Sequence, residues 1–242
     1  MFTKQFFAAV LLITVVAGTS SCRWRSVRGN GVDATDVRNE GSFHSVKSAG
    51  AFDVYLTQGE GSQVKIEAEE NLMKYIITEV HDGVLVIKVR KGINLRPKHD
   101  MKVYVTAPKF KRIEIAGSGN IVAQSKLSST DGITMSIAGS GDIKVPDVDA
   151  PKLEVRIAGS GKAEANGLTR DVEVHVAGSG DVHFKDLRAE NAEIHIAGSG
   201  NVWVYCSQTL DVHIAGGGDV HYGGNPVNVK QKIAGSGNLI KE

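Results

Sequence analysis

The second half of the chain repeats one short string of residues, and this repeat constrains the fold more than any other feature. The string Ile-Ala-Gly-Ser-Gly occurs seven times, once with Val in first place and once with Gly instead of Ser. Its alanine lies at positions 116, 138, 158, 177, 197, 215 and 234, so the separations are 22, 20, 19, 20, 18 and 19 residues. A fixed period near twenty predicts a solenoid, in which each unit buries its apolar side by stacking on its neighbours.

Apolar and polar residues alternate within each unit. In one unit, for example, Val155 and Ile157 point to one side while Glu154 and Arg156 point to the other. A period of two is typical of half-buried strands, whereas a helical period of 3.6 would scatter the apolar residues around the axis. We therefore predict an all-β fold, with a parallel β-helix of about 20 residues per coil over residues 111–242.

The Gly-Ser-Gly part of each string suits a sharp corner between stacked strands. Glycine accepts positive φ and has no side chain to clash with the next coil, which lies about 4.8 Å away. Most of the residues that follow the corners are Asn or Asp, whose side chains can bond to the local backbone. Stacked coils would align them into a polar ladder along a rod roughly 34 Å long. The residues concerned are Asn120, Asp142, Lys162, Asp181, Asn201, Asp219 and Asn238.

The first 22 residues have the features of an export signal. Lys4 precedes an apolar run at residues 6–18, which is too short to span a bilayer, and small residues follow this run. Cys22 comes next, and the arrangement resembles a bacterial lipoprotein signal, although Thr19 stands where such signals usually have Leu. We predict lipid attachment at Cys22, with plain secretion as the alternative. The expected location is the cell envelope, anchored in the outer membrane and facing the periplasm or the cell surface.

The segments between the signal and the repeats have weaker patterns. Residues 23–40 have no apolar period and several breakers, which predicts a flexible tether. Residues 41–110 contain short alternating segments typical of strands. Leu72 and Ile76 are at helical spacing, so one short helix is expected within residues 69–80. The sequence leaves open whether residues 41–110 continue the β-helix or form a separate cap.

Three segments in this part of the chain resemble a known family. They read FDVYLTQG at 52–59, VKIEAEENL at 64–72, and VYVTAP at 103–108, the last running into the first repeat. In this order they resemble the family called "putative auto-transporter adhesin, head GIN domain", and the resemblance covers about residues 43–242. It implies a right-handed β-helical body and a lipoprotein or secreted protein of Bacteroidetes or related bacteria. The family offers no motif of catalytic or binding residues to transfer.

Three histidines occupy equivalent positions in successive units. The register places His175, His195 and His213 in one outward column, with side chains about 4.8 Å apart. Imidazoles at this distance are candidates to share a metal ion. The acidic residues two positions earlier would be further ligands or would orient the rings, and these are Glu173, Glu193 and Asp211. The alternative is a solvated face inherited by duplication, because tetrahedral metal sites seldom arise from a straight ladder.

A second outward column follows the corner and contains His183, Trp203 and His221. An exposed indole between imidazoles is typical of surfaces that stack on sugar rings or contact another protein. The alternative is that a neighbouring loop or Tyr205 covers the ring, since tryptophan is mostly buried in proteins.

Other functional classes have less support. The 28 Lys and Arg residues nearly balance the 27 Asp and Glu residues, so no broad positive field would attract nucleic acid. Cys206 lies at an inward position, and we expect a buried side chain and no disulfide. The coils are compact, with no long loops to form a cleft, so we expect no catalytic residues and no cofactor.

The leading functional hypothesis is an exported, lipid-anchored binding protein of the adhesin type, which presents a rigid surface to carbohydrate or protein. The alternative is a structural envelope protein that forms homo-oligomers, because an open end coil favours pairing unless charges block it. A polysaccharide-active enzyme is less favoured, since such an enzyme would need a carboxylate cluster in a groove walled by long loops.

Overall fold

The computed structural model describes residues 25–242, which fold almost entirely into strands. The predicted signal peptide and its lipid-attachment site Cys22 lie outside the described residues. Within residues 25–242 there is one helix, α1 (Glu70–Met73). No helix in this part of the chain is long and apolar enough to cross a membrane.

The strands are labelled in chain order. They are β1 (Arg25–Arg28), β2 (Asp33–Arg38), β3 (Ser45–Gly50), β4 (Asp53–Gln58), β5 (Gln63–Glu69), β6 (Ile76–His81), β7 (Val84–Val89), β8 (Ile93–Arg96), β9 (Lys102–Ala107), β10 (Arg112–Gly117), β11 (Asn120–Ala123), β12 (Leu127–Ser128), β13 (Ile133–Gly139), β14 (Ile143–Gly159), β15 (Lys162–Gly178), β16 (Asp181–Gly198), β17 (Val202–Gly216), β18 (Val220–Gly223), β19 (Asn228–Gly235) and β20 (Leu239–Lys241).

The repeated units stack as parallel strands in register, which confirms the predicted β-helix. Strands β10, β13, β14, β15, β16, β17 and β19 pair in that order, and the alanine of each string pairs with the alanine of the next. The repeated units make about six turns of roughly 20 residues each. The inward side chains form one continuous core, in which Val155, Ile196 and Val212 are among the residues almost completely excluded from solvent.

The N-terminal part continues the solenoid and then closes its end. Strand β3 pairs in parallel with β10, placing Ala49 opposite Ala116, and β4 pairs in parallel with β11. Strands β7 and β9 add one further layer. Beyond this layer the pairing becomes antiparallel, through β6 against β7 and β5 against β9. The question that the sequence left open is thus answered: the same stack runs through residues 41–110 and ends in antiparallel strands.

The prediction of a flexible tether over residues 23–40 is wrong for the described residues of that segment. Strand β1 pairs in parallel with β8, and β2 pairs antiparallel with β5. An edge strand of this kind needs no apolar period, because main-chain hydrogen bonds hold it. The carboxylate of Glu69, whose side chain is buried, also accepts hydrogen bonds from the backbone amides of Gly31 at 2.5 Å and Lys98 at 2.7 Å.

The expected helix within residues 69–80 is shorter than its apolar spacing suggests. It contains only Glu70–Met73, with Leu72 buried, and β6 begins at Ile76. Residues 76–81 pair with β7 instead, because a hairpin at the end of the sheet satisfies the unpaired backbone groups of β7.

The corners are held by close backbone contact and by side-chain hydrogen bonds. At Gly198, φ is +138° and a β-carbon would lie 2.1 Å from the carbonyl oxygen of Gly178 in the preceding coil. The predicted polar ladder is confirmed next to these corners: Asp181 accepts a hydrogen bond from the backbone amide of Asn201 at 2.9 Å, and Asn201 does the same for Asp219 at 3.1 Å. Neutral or basic residues separate the carboxylates along the ladder, so no two negative charges are stacked.

Candidate ligand groove and imidazole columns

The structure brings together the three histidines of the first predicted column. His175 pairs in register with His195, and His195 with His213. Their rings stack with centroids 5.0 Å apart at both steps and with interplanar angles of 5° and 12°. Each Nε2 also lies close to the carboxylate two residues earlier, at 2.7, 2.9 and 3.1 Å respectively. The predicted pairing of imidazoles with acidic residues is therefore present on all three coils.

This stacked geometry restricts what the imidazole column can bind. The nitrogen lone pairs lie in the ring planes, so an ion held by one ring at about 2.0 Å would lie far from the nitrogens of a parallel ring 5.0 Å away. A shared metal would require the rings to turn out of the stack. The metal hypothesis stays a prediction, and a calorimetric titration with Zn²⁺ that gave no heat would end it.

Glu173 and the neighbouring Glu154, the two carboxylates nearest His175, already have cationic partners. Lys152 lies 2.5 Å from Glu173, and Arg156 contacts Glu154. Oxygens of Glu154 and Glu173 and a nitrogen of His175 lie within 4.8 Å of one another, but a metal ion there would compete with both cations. The hydrogen bond with His175 and the contact with Lys152 lower the pKa of Glu173 to about 2. This carboxylate is thus firmly ionised at neutral pH.

The second predicted column is also assembled, but its indole is enclosed. Trp203 stacks on His183 at 4.4 Å and on His221 at 5.1 Å between centroids, so both faces of the indole are covered. A sugar that stacks on an aromatic side chain needs a free ring face. Only the edge of Trp203 is accessible to a ligand. The ring of Tyr205, two residues further along the strand, lies under the guanidinium of Arg188 at 4.1 Å.

A groove that the sequence reasoning missed runs along the rod beside the first column. It extends from the coil of Lys47 to the coil of Lys232 and has a volume of about 720 Å³. Its floor is the column of alanines from the repeated Ile-Ala-Gly-Ser-Gly strings. The methyl groups of these alanines are much shorter than the neighbouring side chains. Its wall is the outward column Lys47, Glu114, Ser136, Arg156, His175, His195, His213 and Lys232. Eight stacked layers give a length of about 34 Å.

The alanine column differs from the wall beside it in one informative respect. Both columns face outward, and the alanines are exposed on six coils, from Ala138 to Ala234. The wall residues change from coil to coil, whereas the floor is alanine in all eight layers. Duplication alone would leave both columns equally uniform. A constant small residue at a solvent-facing position was therefore the sequence signal for the groove.

Cys206 is the buried side chain that its inward position predicts. It is 0% exposed and burial raises the pKa of its thiol to about 11, so it is not a nucleophile at neutral pH. Among the described residues it is the only cysteine, and it is not disulfide-bonded.

Comparisons with known proteins agree with this architecture. A putative adhesin from Bacteroides fragilis is 22% identical, with a TM-score of 0.83 over 89% of this chain and 100% of the other. A structure described as a putative lipid binding protein from Parabacteroides distasonis is 28% identical, with a TM-score of 0.76 over 90% of this chain and 100% of the other. No match was found among curated proteins. The model of the family "putative auto-transporter adhesin, head GIN domain" matches residues 42–226, and the chain therefore belongs to this family.

Proposed function

We propose that the protein is an exported, lipid-anchored binding protein of the cell envelope that holds an elongated ligand along its groove. The groove carries this proposal: an alanine floor extends over eight layers, with its methyl groups exposed in six of them, beside a wall of polar side chains. Carbohydrate or protein remains the proposed ligand class for an adhesin. The rigid stack keeps the groove straight, so a ligand loses entropy on binding but the protein does not.

The proposed lipid anchor would hold the rod close to the membrane. Strand β1 begins at Arg25, three residues after Cys22. Three residues reach at most about 10 Å, so an acylated Cys22 would keep the capped end near the bilayer. The groove would then lead away from the membrane. Labelling of intact cells with radioactive palmitate tests the anchor, because Cys22→Ser should abolish incorporation.

An array of glycans and matrix proteins tests the ligand-binding proposal. The probe is the chain from residue 23 onward, which contains every described strand. Ala197→Glu places a charged chain on the groove floor and should abolish binding, while Leu168→Glu adds the same charge at an exposed position outside the groove and should preserve it. Equal binding by the two variants would refute the groove as the site. Trp203→Ala should have little effect, because the covered indole offers only its edge.

A lipid ligand is the second candidate. The apolar floor of the groove favours it, and one of the similar structures is described as a putative lipid binding protein. Such a ligand needs few hydrogen bonds from the protein, which suits a wall whose imidazoles are already bonded to carboxylates.

A structural role through self-association is the remaining alternative. Within residues 25–242, strand β19 pairs only with β17, and β20 only with β18, so this coil presents a free edge with exposed Val229. Lys230 and Lys232 lie on that strand, and lysines on an edge disfavour pairing with a second copy. Size-exclusion chromatography with light scattering should therefore give a monomer, whereas a defined oligomer would support the structural role.

A further inference from the structure

The groove wall contains charged groups that are nearly all neutralised by neighbours. Lys47 lies 3.3 Å from Glu114, and Arg156 contacts Glu154. The Nε2 atoms of the three histidines lie within 3.1 Å of Glu173, Glu193 and Asp211, so these ring nitrogens are occupied whether or not the rings are charged. Lys232 is different, because it forms no ion pair within residues 25–242, and it is exposed in the last layer of the groove. The groove thus ends at one cation, Lys232, that has no ion-pair partner within residues 25–242.

We propose that the groove binds a single long-chain fatty acid, with its chain along the alanine floor and its carboxylate at Lys232. This inference rests on the groove being the ligand site proposed above, and it names the ligand class. The chemistry of the two parts is complementary: methyl groups contact methylene groups, and the ammonium group of Lys232 meets the anion. The groove, about 34 Å long, is longer than an extended chain of sixteen carbons.

The shape of the groove favours a free fatty acid over a membrane lipid. The floor is one alanine wide in every layer, which fits one acyl chain, whereas a bilayer lipid presents two. A polysaccharide fits the lining less well, since sugar hydroxyl groups need free hydrogen-bonding partners along their whole length. Over the central layers the guanidinium of Arg156 and the Nε2 atoms of the three column histidines already contact carboxylates.

The test is a titration of the chain from residue 23 onward with hexadecanoate, followed by calorimetry below the aggregation limit of the fatty acid. Saturable one-to-one binding is expected. Shortening the chain from sixteen to twelve carbons should weaken binding by roughly two-fold for each methylene group, because the open groove covers about half of each. Absence of binding, or an affinity that does not depend on chain length, would overturn the inference.

Matched variants locate the two ends of the ligand. Lys232→Glu should weaken hexadecanoate binding roughly five-fold, the upper range for an exposed ion pair. Lys230→Glu, two residues away and outside the groove lining, should leave it unchanged. Ala197→Glu should weaken binding more than ten-fold and Leu168→Glu should not. Equal effects within either pair would contradict the assignment.

The possible failures are distinguishable. If hexadecanoate does not bind but a glycan or protein binds in a manner that Ala197→Glu abolishes, the fatty-acid inference is wrong and the proposed function stands. If hexadecanoate binds and Ala197→Glu has no effect, the fatty acid lies outside the groove and the inference is wrong, while the array comparison of Ala197→Glu with Leu168→Glu still decides the proposed function. Binding only to vesicles of phosphatidylglycerol, with none to free hexadecanoate, would show that the surface recognises a membrane and would also overturn the inference.

Discussion

The repeated coils and the N-terminal part build the same stack from different local chemistry. In the repeated coils every corner at the Ile-Ala-Gly-Ser-Gly string presses a pair of glycines against the corner of the preceding coil, so the backbone itself is the packing surface there. In the N-terminal part the chain turns through antiparallel strands, and a β-carbon added at glycines such as Gly41 and Gly92 would meet no atom within 4 Å. The comparison teaches that the glycine pair is needed where one tight corner lies directly on another, and not throughout the solenoid, since the first corner, at Gly50, is followed by Ala and Phe.

The largest difference between the two regions should appear when a corner glycine is replaced. Gly198→Val combines a positive φ, at roughly 1–2 kcal/mol, with a backbone clash of roughly 3 kcal/mol, so we expect a loss of about 5 kcal/mol in unfolding free energy. Gly92→Val in the N-terminal part meets only the first cost and should lose about 1–2 kcal/mol. Urea denaturation followed by circular dichroism measures both, and equal losses would remove the distinction.

A charged substitution in the core of the repeated coils should be similarly destabilising. Ile196 is 2% exposed, so Ile196→Asp would bury an unpaired charge and should cost about 4 kcal/mol. Val32 in the N-terminal part is 54% exposed, and Val32→Asp should change stability by less than about 0.5 kcal/mol. The same denaturation experiment compares them. A small loss for Ile196→Asp would mean that this side chain does not face the core.

The N-terminal part should depend on one buried carboxylate. Glu69→Gln weakens the hydrogen bonds that hold the segments around Gly31 and Lys98, and we expect a loss of about 2 kcal/mol. Hydrogen exchange should show faster exchange at residues 25–38 and 96–99 and no change in β16. Glu190→Gln, at an exposed position in the coils, is the control. Uniformly faster exchange would indicate that the cap and the coils unfold as one unit.

Acid should destabilise the coils through their paired carboxylates. The pKa of Glu173 is about 2 and the contacts with Lys162 and Lys144 lower the pKa of Glu164 to about 2, whereas both groups would titrate near 4.5 when unfolded. Their contribution is complete above about pH 4.5 and is lost as pH falls toward 2. The melting temperature should therefore fall over this range. Glu173→Gln should make the fall shallower, and an unchanged slope would show that the pairing adds no stability.

The smallest effect is expected at the imidazole column. His195 is half-exposed and stacks in a column on the surface, so His195→Ser should change the free energy of unfolding by less than about 0.5 kcal/mol. Thermal denaturation at pH 7 measures this change. A loss comparable with that of Ile196→Asp would mean that the column contributes to the fold and not only to the surface of the groove.

The sequence predicted the coils well because their information is local. Alternation around Ile157 and Val176 assigns the faces, and the alanine spacing assigns the register. The N-terminal strands were harder to predict, since β2 has little apolar periodicity and depends on distant partners such as Glu69 and β5.

The columns of His195 and Trp203 followed from the register. The register did not predict that both faces of the Trp203 ring are covered, because this depends on how the side chains of adjacent coils stack. The groove could not be predicted in this way, because an exposed alanine carries no charged, polar or aromatic group that would mark a binding site.

The exposed alanine column is the ligand site in both proposals, and methyl NMR tests this assignment directly. The protein is labelled with ¹³C at its alanine methyl groups and titrated with hexadecanoate, and with any glycan or protein that the arrays identify. We expect shifts at Ala138, Ala158, Ala177, Ala197 and Ala215, and none at the buried Ala163 and Ala165. Ligand binding without shifts in the exposed column, or with shifts only elsewhere, would contradict this assignment.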